Sequence, residues 1–549
     1  MGKRGIIITA CCVALLVAGG LVARKYWIYI PGMLSEWRDP IAPNQPVTWQ
    51  QGPQTADTAP DKRPPNIVVI LADDLGFNDI TFYGGGVAGG TVPTPNIDSI
   101  GKAGIHFPNA YAGNATCSPS RAAILTGRYA TRFGFEFTSA PIQFQRLVAT
   151  WTDRGIYREE LEAQTPPIEE MGVPPEEITV AELLKEKGYH SLLLGKWHLG
   201  GGAQTNPNAQ GFDEYLGFLP GAAMFLPEGD PDVVNSKQDF DPIDVFLWAN
   251  LPYAISYNGS QRFEPGGYMT EYLADEAVKA IDANRNRPFF MYLSFNAPHT
   301  PLQALKSDYD ALAHIENHTL RTYAGMIRSL DRSIGRVLQA LKDQGLEDNT
   351  LVIFTSDNGG AHYVGLNDLN HPYRGWKATM FEGGIHVPFF IKWPAKIEAG
   401  SVYDKPVAHV DVFATAAAAA GVTPPQDRLI DGVDLVSYAQ GASDGRPHES
   451  LFWRSGQYSA MRLGDWKLQL SEIPEHTERL YDLSADPTEQ TNLAANRPDK
   501  LAELKQRWAE INAQQSKPLW PSLLSGPIPV DRPLGPDGPG DGEIVYWDN

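Results

Sequence analysis

Cys117 opens the run Cys117-Ser118-Pro119-Ser120-Arg121-Ala122-Ala123-Ile124-Leu125-Thr126-Gly127-Arg128, and the other two cysteines fall in an apolar N-terminal stretch. A lone thiol in a chain with an export-type leader has no partner for an internal disulfide. It is a reactive thiol, an incidental one or the precursor of another group. Arg121 follows four residues later, one helical turn on, within reach of whatever residue 117 carries. Asp73-Asp74 and Asp357-Asn358 are two adjacent pairs of oxygen donors. Three carboxylates and one amide oxygen are hard ligands suited to calcium or magnesium, and no Cys or His cluster suggests zinc. Lys196 and His198 are two residues apart, so on an extended strand both face one pocket. His299 and Lys377 add a proton-transfer group and a further cation.

Each of these residues alone has an ordinary structural role as a buried cysteine, an acidic cap, a hydrogen-bonded histidine or an exposed lysine. The elements that must carry them make them a set. Asn66 to Ala72 is a continuous apolar run, the pattern of a strand buried on both faces, and Asp73-Asp74 emerges at its carboxyl end. Similar runs cover Pro288 to Phe295, Leu351 to Thr355 and Val387 to Trp393. Asn296-Ala297-Pro298-His299 follows the first and Ser356-Asp357-Asn358-Gly359-Gly360 the second. From Leu320 to Gly345, Tyr323, Met326, Ile327, Leu330, Ile334, Val337 and Leu341 mark a helical stripe. Strands alternating with helices predict an α/β fold, a mostly parallel central sheet sandwiched by helices, with ligands gathered beyond the strands' carboxyl ends. After an Ala-rich helix around Val412 to Ala420, short strands at Ser450 to Trp453, Ser459 to Arg462 and Trp466 to Leu470 precede a helix from Pro498 to Gln514. This texture predicts a smaller C-terminal α+β domain.

The twelve residues from Cys117 resemble the sulfatase signature C-x-P-S-R-x-x-x-L-T-G-R at every position that the pattern fixes. Gly195-Lys196-Trp197-His198-Leu199-Gly200 resembles the family's G-K-W-H-L-G segment, and Leu480-Tyr481-Asp482-Leu483 with Asp486-Pro487 looks like its C-terminal domain. The resemblance runs from Asn66 to about Gln514 and implies the alkaline phosphatase fold. It also implies that a maturation enzyme oxidises Cys117 to Cα-formylglycine. Hydrated, that aldehyde carries two geminal hydroxyls. One attacks the sulfur of a sulfate monoester and displaces the alcohol; deprotonation of the other re-forms the carbonyl and expels sulfate. By the same resemblance Asp73, Asp74, Asp357 and Asn358 hold a divalent cation, calcium or else magnesium, that polarises a sulfate oxygen. Lys196 would hold the formylglycine oxygens, Arg121 would orient the hydrate, and His198 would assist the deprotonation. His299 and Lys377 would contact the sulfate and its bridging oxygen, with His299 protonating the leaving alcohol. The segments Thr138 to Thr179 and Gly201 to Gly266 depart most from the family and are expected to line the entrance, while His362, His371, Tyr373 and Arg374 are candidates to read the alcohol.

The 549 residues suit a large α/β domain, 66–445, plus the smaller domain, 446–516. Residues Gly5 to Ala23 are mostly apolar between Lys3-Arg4 and Arg24-Lys25. At about 1.5 Å per residue they span roughly 28 Å, which fits a signal anchor or a cleaved signal peptide within residues 1–25. Either predicts export to a periplasmic or extracellular location, with membrane attachment if the segment stays uncleaved. Residues 26–65, rich in Pro, Gln and Thr, read as a linker, and the Pro- and Gly-dense tail 517–549 as extended or disordered, able to wrap back through Trp520 and Trp547. A net charge of −20 disfavours nucleic acid as a partner and requires any sulfate site to be made electropositive locally. The partners that remain are a sulfated small molecule or carbohydrate and the maturation enzyme.

Two alternatives stand beside sulfate ester hydrolysis: a formylglycine-dependent phosphonate or phosphate monoester hydrolase, and a catalytically silent relative, whose mark would be a missing nucleophile or ligand. Cys117→Ala is expected to remove turnover and leave the fold intact, because the residue supplies chemistry rather than core volume. Cys117→Ser accepts sulfate but cannot eliminate it, so multiple turnover is lost as well. Mass spectrometry of the residue-117 peptide from active enzyme checks both; full activity with only an unmodified thiol contradicts them.

Overall fold

The computed structural model describes residues 27–59, 62–538, 540 and 542–549. The apolar stretch Gly5 to Ala23 lies outside the described residues. Among the described residues no helix is long and apolar enough to cross a membrane.

The strands of the main sheet, in chain order, are β1 (Asn66–Ala72), β2 (Ile105–His106), β3 (His190–Lys196), β4 (Glu214–Phe218), β5 (Ser256–Tyr257), β6 (Phe289–Ser294), β7 (Thr350–Ser356), β8 (Phe389–Lys392) and β9 (Ser401–Val402). They form one nine-stranded sheet in the order β9-β2-β8-β7-β1-β6-β3-β4-β5. The central run β7-β1-β6-β3-β4 is parallel; β8 and β5 turn antiparallel at its flanks. All seven residues of β1 are buried because both faces are covered. Alternation assigns Val68, Ile70 and Ala72 to one core, with Leu273, Ile281, Ile327 and Leu330 from the helices Met269–Asn284 and His318–Asp343. Ile67, Val69 and Leu71 join the other core, with Ile124, Leu125, Phe413 and Ala417 from Cys117–Thr126 and Asp411–Ala420.

Register then places the chemistry. β1 pairs with β7 from Asn66↔Thr350 to Ala72↔Ser356, so the two strands end level and Asp73-Asp74 leaves the sheet beside Asp357-Asn358. On the other side Leu71 pairs with Ser294 of β6, and Ser294 with Gly195 of β3, which brings Lys196 to the same rim.

A four-stranded antiparallel sheet, Ser450–Ser455, Tyr458–Leu463, Trp466–Ser471 and Thr477–Asp482, forms the C-terminal unit with the helix Pro498–Asn512. It braces the lead-in to Cys117: Trp453 Nε1 donates to the Ala112 carbonyl at 2.8 Å, and Asn114 Nδ2 donates to the Arg454 carbonyl at 3.2 Å.

Two readings from composition are corrected. The tail is ordered rather than disordered: it wraps back through the buried Trp520 and Trp547, as expected, and forms the strand pair Leu524–Pro529 with Ile544–Asp548, extended by Ile156–Tyr157. Its apolar Trp520, Leu523, Leu524 and Ile528 supply the buried surface that Pro and Gly content concealed. The stretch before β1 does not stand off the enzyme either: Trp49 is buried and donates Nε1 to Glu276 at 2.9 Å, and Ala42 bridges Phe263.

Trp520 stacks edge-on against Phe135 at 5.5 Å inside the second core. Trp520→Ala is therefore expected to cost about 3 kcal/mol or more in a denaturant titration. An unchanged midpoint would mean that the tail does not pack.

Candidate functional site

Cys117 begins the helix Cys117–Thr126 and is buried. Its Sγ lies 3.6 Å from Asp73 Oδ1 and 3.8 Å from Asp74 Oδ1. Burial and the Asp357 charge push the thiol well above its ordinary range, so the unmodified residue is a poor thiolate nucleophile. The helix N-terminus instead favours an anion in front of residue 117.

Three buried carboxylates here meet two buried cations, Arg121 and Lys196, and the part-buried Lys377. Arg121 donates from Nε to Asp357 Oδ2 at 2.8 Å and from a terminal nitrogen to Ser294 Oγ at 2.5 Å, with Asp73 Oδ1 at 3.4 Å from the other. These contacts set its guanidinium against the carboxylates beside residue 117. Lys196 Nζ reaches both oxygens of Asp73, at 2.9 and 2.8 Å. Lys377 Nζ donates to Asp74 Oδ2 at 2.8 Å, to Tyr363 Oη at 3.0 Å and to His299 Nε2 at 3.1 Å. Burial pushes the Asp73 carboxyl up to about 7, with Asp357 adding to the rise and Lys196 opposing it. For Asp74, burial is outweighed by Lys377 and His299, which hold it far below the usual carboxylate range. Arg121 and Lys196 likewise outweigh burial at Asp357 and hold it near 2.

The donor set fits a hard divalent cation. Asp74 accepts at Oδ1 from Asn358 Nδ2 at 2.8 Å, and its backbone N–H donates to Asp357 Oδ1 at 3.1 Å, so these side chains converge. Asn358 Oδ1 is buried without a hydrogen-bond partner, a costly arrangement that coordination would relieve. Asp73, Asp74, Cys117 and His299 also bring one ligand atom each within 4.8 Å of one another. Hard-ion preference favours the oxygens of Asp73, Asp74, Asp357 and Asn358 over the sulfur and ring nitrogen. With three carboxylates already balanced by three cations, a divalent ion leaves the pocket net positive.

His198 does not continue the strand. β3 stops at Lys196 and His198 adopts φ 60°, a left-handed conformation that is strained for a non-glycine residue. The turn still aims it at the cavity. Nε2 faces the Ser139 carbonyl at 3.3 Å, which leaves Nδ1 buried and unpartnered. Burial and Lys196 push its pKa well down, so it is neutral and able to accept a proton. His299 donates Nδ1–H to the Thr300 carbonyl at 2.6 Å, fixing Nε2 as the acceptor; burial and Lys377 lower its pKa to about 3.

A cavity of about 320 Å³ leads to Cys117, His198, His299 and Lys377. Thr138, Ser139 and Phe144 line it from one of the two departing segments, and Gly221, Ile243 and Phe246 from the other, as their position predicted. Of the four candidates for reading the alcohol, His362 lines the cavity. His371 is exposed, Tyr373 stacks on His386, and Arg374 is bound to Asp531 and Glu543. Tyr363, which donates its hydroxyl to Asp74 Oδ2 at 3.0 Å, was missed, as was His409 behind the site, whose ring joins Ser120 and Thr355 at 3.0 Å each. Neither has a sequence pattern around it.

The sulfatase family profile matches residues 65–422, and that of the N-sulphoglucosamine sulphohydrolase C-terminal region matches residues 373–516. The chain belongs to the sulfatase family, within the alkaline phosphatase superfamily, and is a sulfuric ester hydrolase. N-acetylgalactosamine-6-sulfatase from Canis lupus familiaris is 33% identical over 419 residues, covering 74% of this chain and 71% of that protein. Steryl-sulfatase from Mus musculus is 32% identical over 469 residues, 73% of this chain and 69% of its own. The solved structure of Ps i-CgsB in complex with k-i-k-neocarrahexaose superposes with a TM-score of 0.69 at 31% identity, covering 83% of this chain and 95% of that one. A phosphonate monoester hydrolase of Agrobacterium radiobacter shares the fold with a TM-score of 0.57 at 21% identity, over 82% of this chain and 96% of its own.

Asp357→Ala is expected to abolish activity and to lower stability by about 3–5 kcal/mol, because Arg121 is left buried without its main partner. Asn358→Ala should cost only about 1 kcal/mol without metal but weaken cation retention. Denaturant titration with and without chelator, alongside elemental analysis, separates the two. Equal stability losses, or no bound metal in active enzyme, would contradict the assignment.

Proposed function

We propose that this chain hydrolyses sulfate monoesters through a formylglycine made from Cys117, with calcium held by Asp73, Asp74, Asp357 and Asn358. The observation that carries the reading is the placement of Cys117 at a helix N-terminus, against Asp73 and Asp74 and within one cavity shared with His198, His299 and Lys377. Bound there, the cation supplies charge to polarise a sulfate oxygen.

The chain's own groups divide the remaining work. Lys196 and Lys377 set positive charge beside Asp73 and Asp74, Lys196 to hold the formylglycine oxygens and Lys377 to hold the sulfate. Burial opposes a charge on Lys377, but Asp74 outweighs it and keeps the ammonium protonated. With His299 Nε2 at 3.1 Å, the pair holds the proton that the leaving alcohol takes from the His299 side. Nδ1 of His198, neutral and unpartnered, receives the proton released as sulfate is expelled. Arg121 fixes Asp357 and Asp73, and Tyr363 fixes Asp74 and Lys377.

The relatives' names include sugar sulfatases and a steryl-sulfatase, so likeness alone leaves the alcohol open. Export of the catalytic part, with the Gly5 to Ala23 segment as signal or anchor, belongs to the same proposal.

Sulfate monoesters are expected to be hydrolysed faster than phosphate or phosphonate monoesters of the same alcohol. Three side-chain cations and one divalent ion suit a sulfate monoanion, whereas a phosphate dianion ordinarily calls for a second metal or more arginines. The test is the ratio of kcat/KM on 4-nitrophenyl sulfate, 4-nitrophenyl phosphate and 4-nitrophenyl phenylphosphonate. A large preference for either phosphorus ester contradicts the substrate class.

A further inference from the structure

The cavity beyond the reacting end is walled by Phe144, Ile243, Phe246, Leu251, Ile528 and Trp547. Few polar side-chain atoms reach it away from the site: Thr138 Oγ1, His362 Nδ1 and Trp547 Nε1 are unpartnered, while Asn250 and Arg262 are already engaged. Asn250 donates Nδ2 to the carbonyls of Ile28 and Phe246 at 3.0 and 2.9 Å and accepts from the Gly32 N–H at 2.8 Å. Arg262 is paired with Asp39 at 2.5 Å. A sugar needs a donor or acceptor for each of its hydroxyls, and three free polar atoms on a mostly apolar wall leave most of them unsatisfied. An apolar alcohol loses nothing there, and about 320 Å³ falls within the range of roughly 300–1,000 Å³ that encloses drug-sized molecules.

The helix Ile30–Arg38 forms part of the cavity mouth through Pro31, Gly32 and Ser35. Its outer side is unlike the rest of the surface. Of the eleven large apolar side chains exposed among the described residues, six lie in its short stretch, Trp27, Tyr29, Ile30, Met33, Leu34 and Trp37; Met33 is 67% and Trp37 79% exposed. Such a patch marks an interaction surface. Continuity of the chain supplies the occupant: three residues separate the nineteen-residue apolar run Gly5 to Ala23 from Trp27, so the run, left uncleaved, ties this helix to the bilayer it meets. Aromatic and aliphatic side chains beside a membrane-seeking segment are the composition of an interfacial helix.

We infer that the substrate is the sulfate monoester of an apolar alcohol, taken up from a lipid surface on which this helix rests. The inference depends on the sulfatase reading above and adds the alcohol and its route of entry. The alcohol's carbon skeleton occupies the apolar wall, and its sulfate, too polar to leave the interface, projects toward residue 117.

The test uses full-length matured enzyme on three kinds of substrate. On a series of soluble n-alkyl sulfates with the same leaving chemistry, kcat/KM should rise about three- to fourfold per added methylene until the cavity is filled. Glucosamine 6-sulfate should fall well below the longer alkyl esters. With hexadecyl sulfate in phosphatidylcholine vesicles, the double variant Met33→Ser/Trp37→Ser, whose side chains lie outside the cavity, should lose about tenfold in rate. It should leave 4-nitrophenyl sulfate turnover unchanged. A flat alkyl series, or a sugar sulfate turned over best, overturns the inference while sparing the sulfatase reading; no hydrolysis of any sulfate, 4-nitrophenyl sulfate included, overturns both. An unchanged vesicle rate in the double variant overturns the lipid route, as does loss of a dimer as the variant's only effect, which would assign the face to a second copy of the chain.

Discussion

The burial of three carboxylates beside one another is the constraint on which the rest of this structure depends. Asp73, Asp74 and Asp357 are fully enclosed, and like charges at such range repel strongly where water is absent. Arg121, Lys196 and Lys377 answer them, each from a different part of the chain: a helix, a strand end and a loop. None of these cations is free to move without stranding a buried charge, so nucleophile, carboxylates and proton-transfer groups are locked in one geometry. The charges match in number, yet burial still pushes Asp73 toward neutrality and Asn358 keeps an unpartnered oxygen. A divalent ion is the addition that satisfies both.

Catalytic and recognition functions are housed separately. The reacting groups stand on the rim of the parallel sheet, where strand register fixes them to within a residue. The cavity walls come from the segments between strands, from the helix Ile30–Arg38 and from the tail, which contributes Ile528 and Trp547. Sulfate monoester hydrolysis is a property of the rim and therefore of the family; the choice of alcohol belongs to parts that vary independently of it.

Much of this was legible in sequence because the signals are local. Seven consecutive apolar residues followed by two aspartates announce a central strand and its site, and β1 runs from Asn66 to Ala72 as expected. The stripe from Leu320 becomes the helix His318–Asp343. The twelve-residue run at Cys117 carries its meaning in order and spacing. What escaped depends on distant partners. Tyr363 matters only because the fold brings Lys377 and Asp74 to its hydroxyl, and the strand spacing assumed for Lys196 and His198 fails because the chain turns after Lys196. The tail was half legible: Trp520 and Trp547 marked where it packs, while its strand pairing with Ile156–Tyr157, about 370 residues earlier, leaves no trace in local Pro and Gly content.

The central claim is that residue 117 takes the sulfuryl group covalently in a pocket built to hold it. The most direct measurement is a single-turnover reaction of the Cys117→Ser variant with 4-nitrophenyl sulfate carrying labelled sulfur, followed by peptide mapping. The account predicts stoichiometric release of 4-nitrophenol with the label retained on residue 117, since the lone hydroxyl can accept sulfate but not expel it. Release of free labelled sulfate with none on residue 117, or label on another residue, would contradict it.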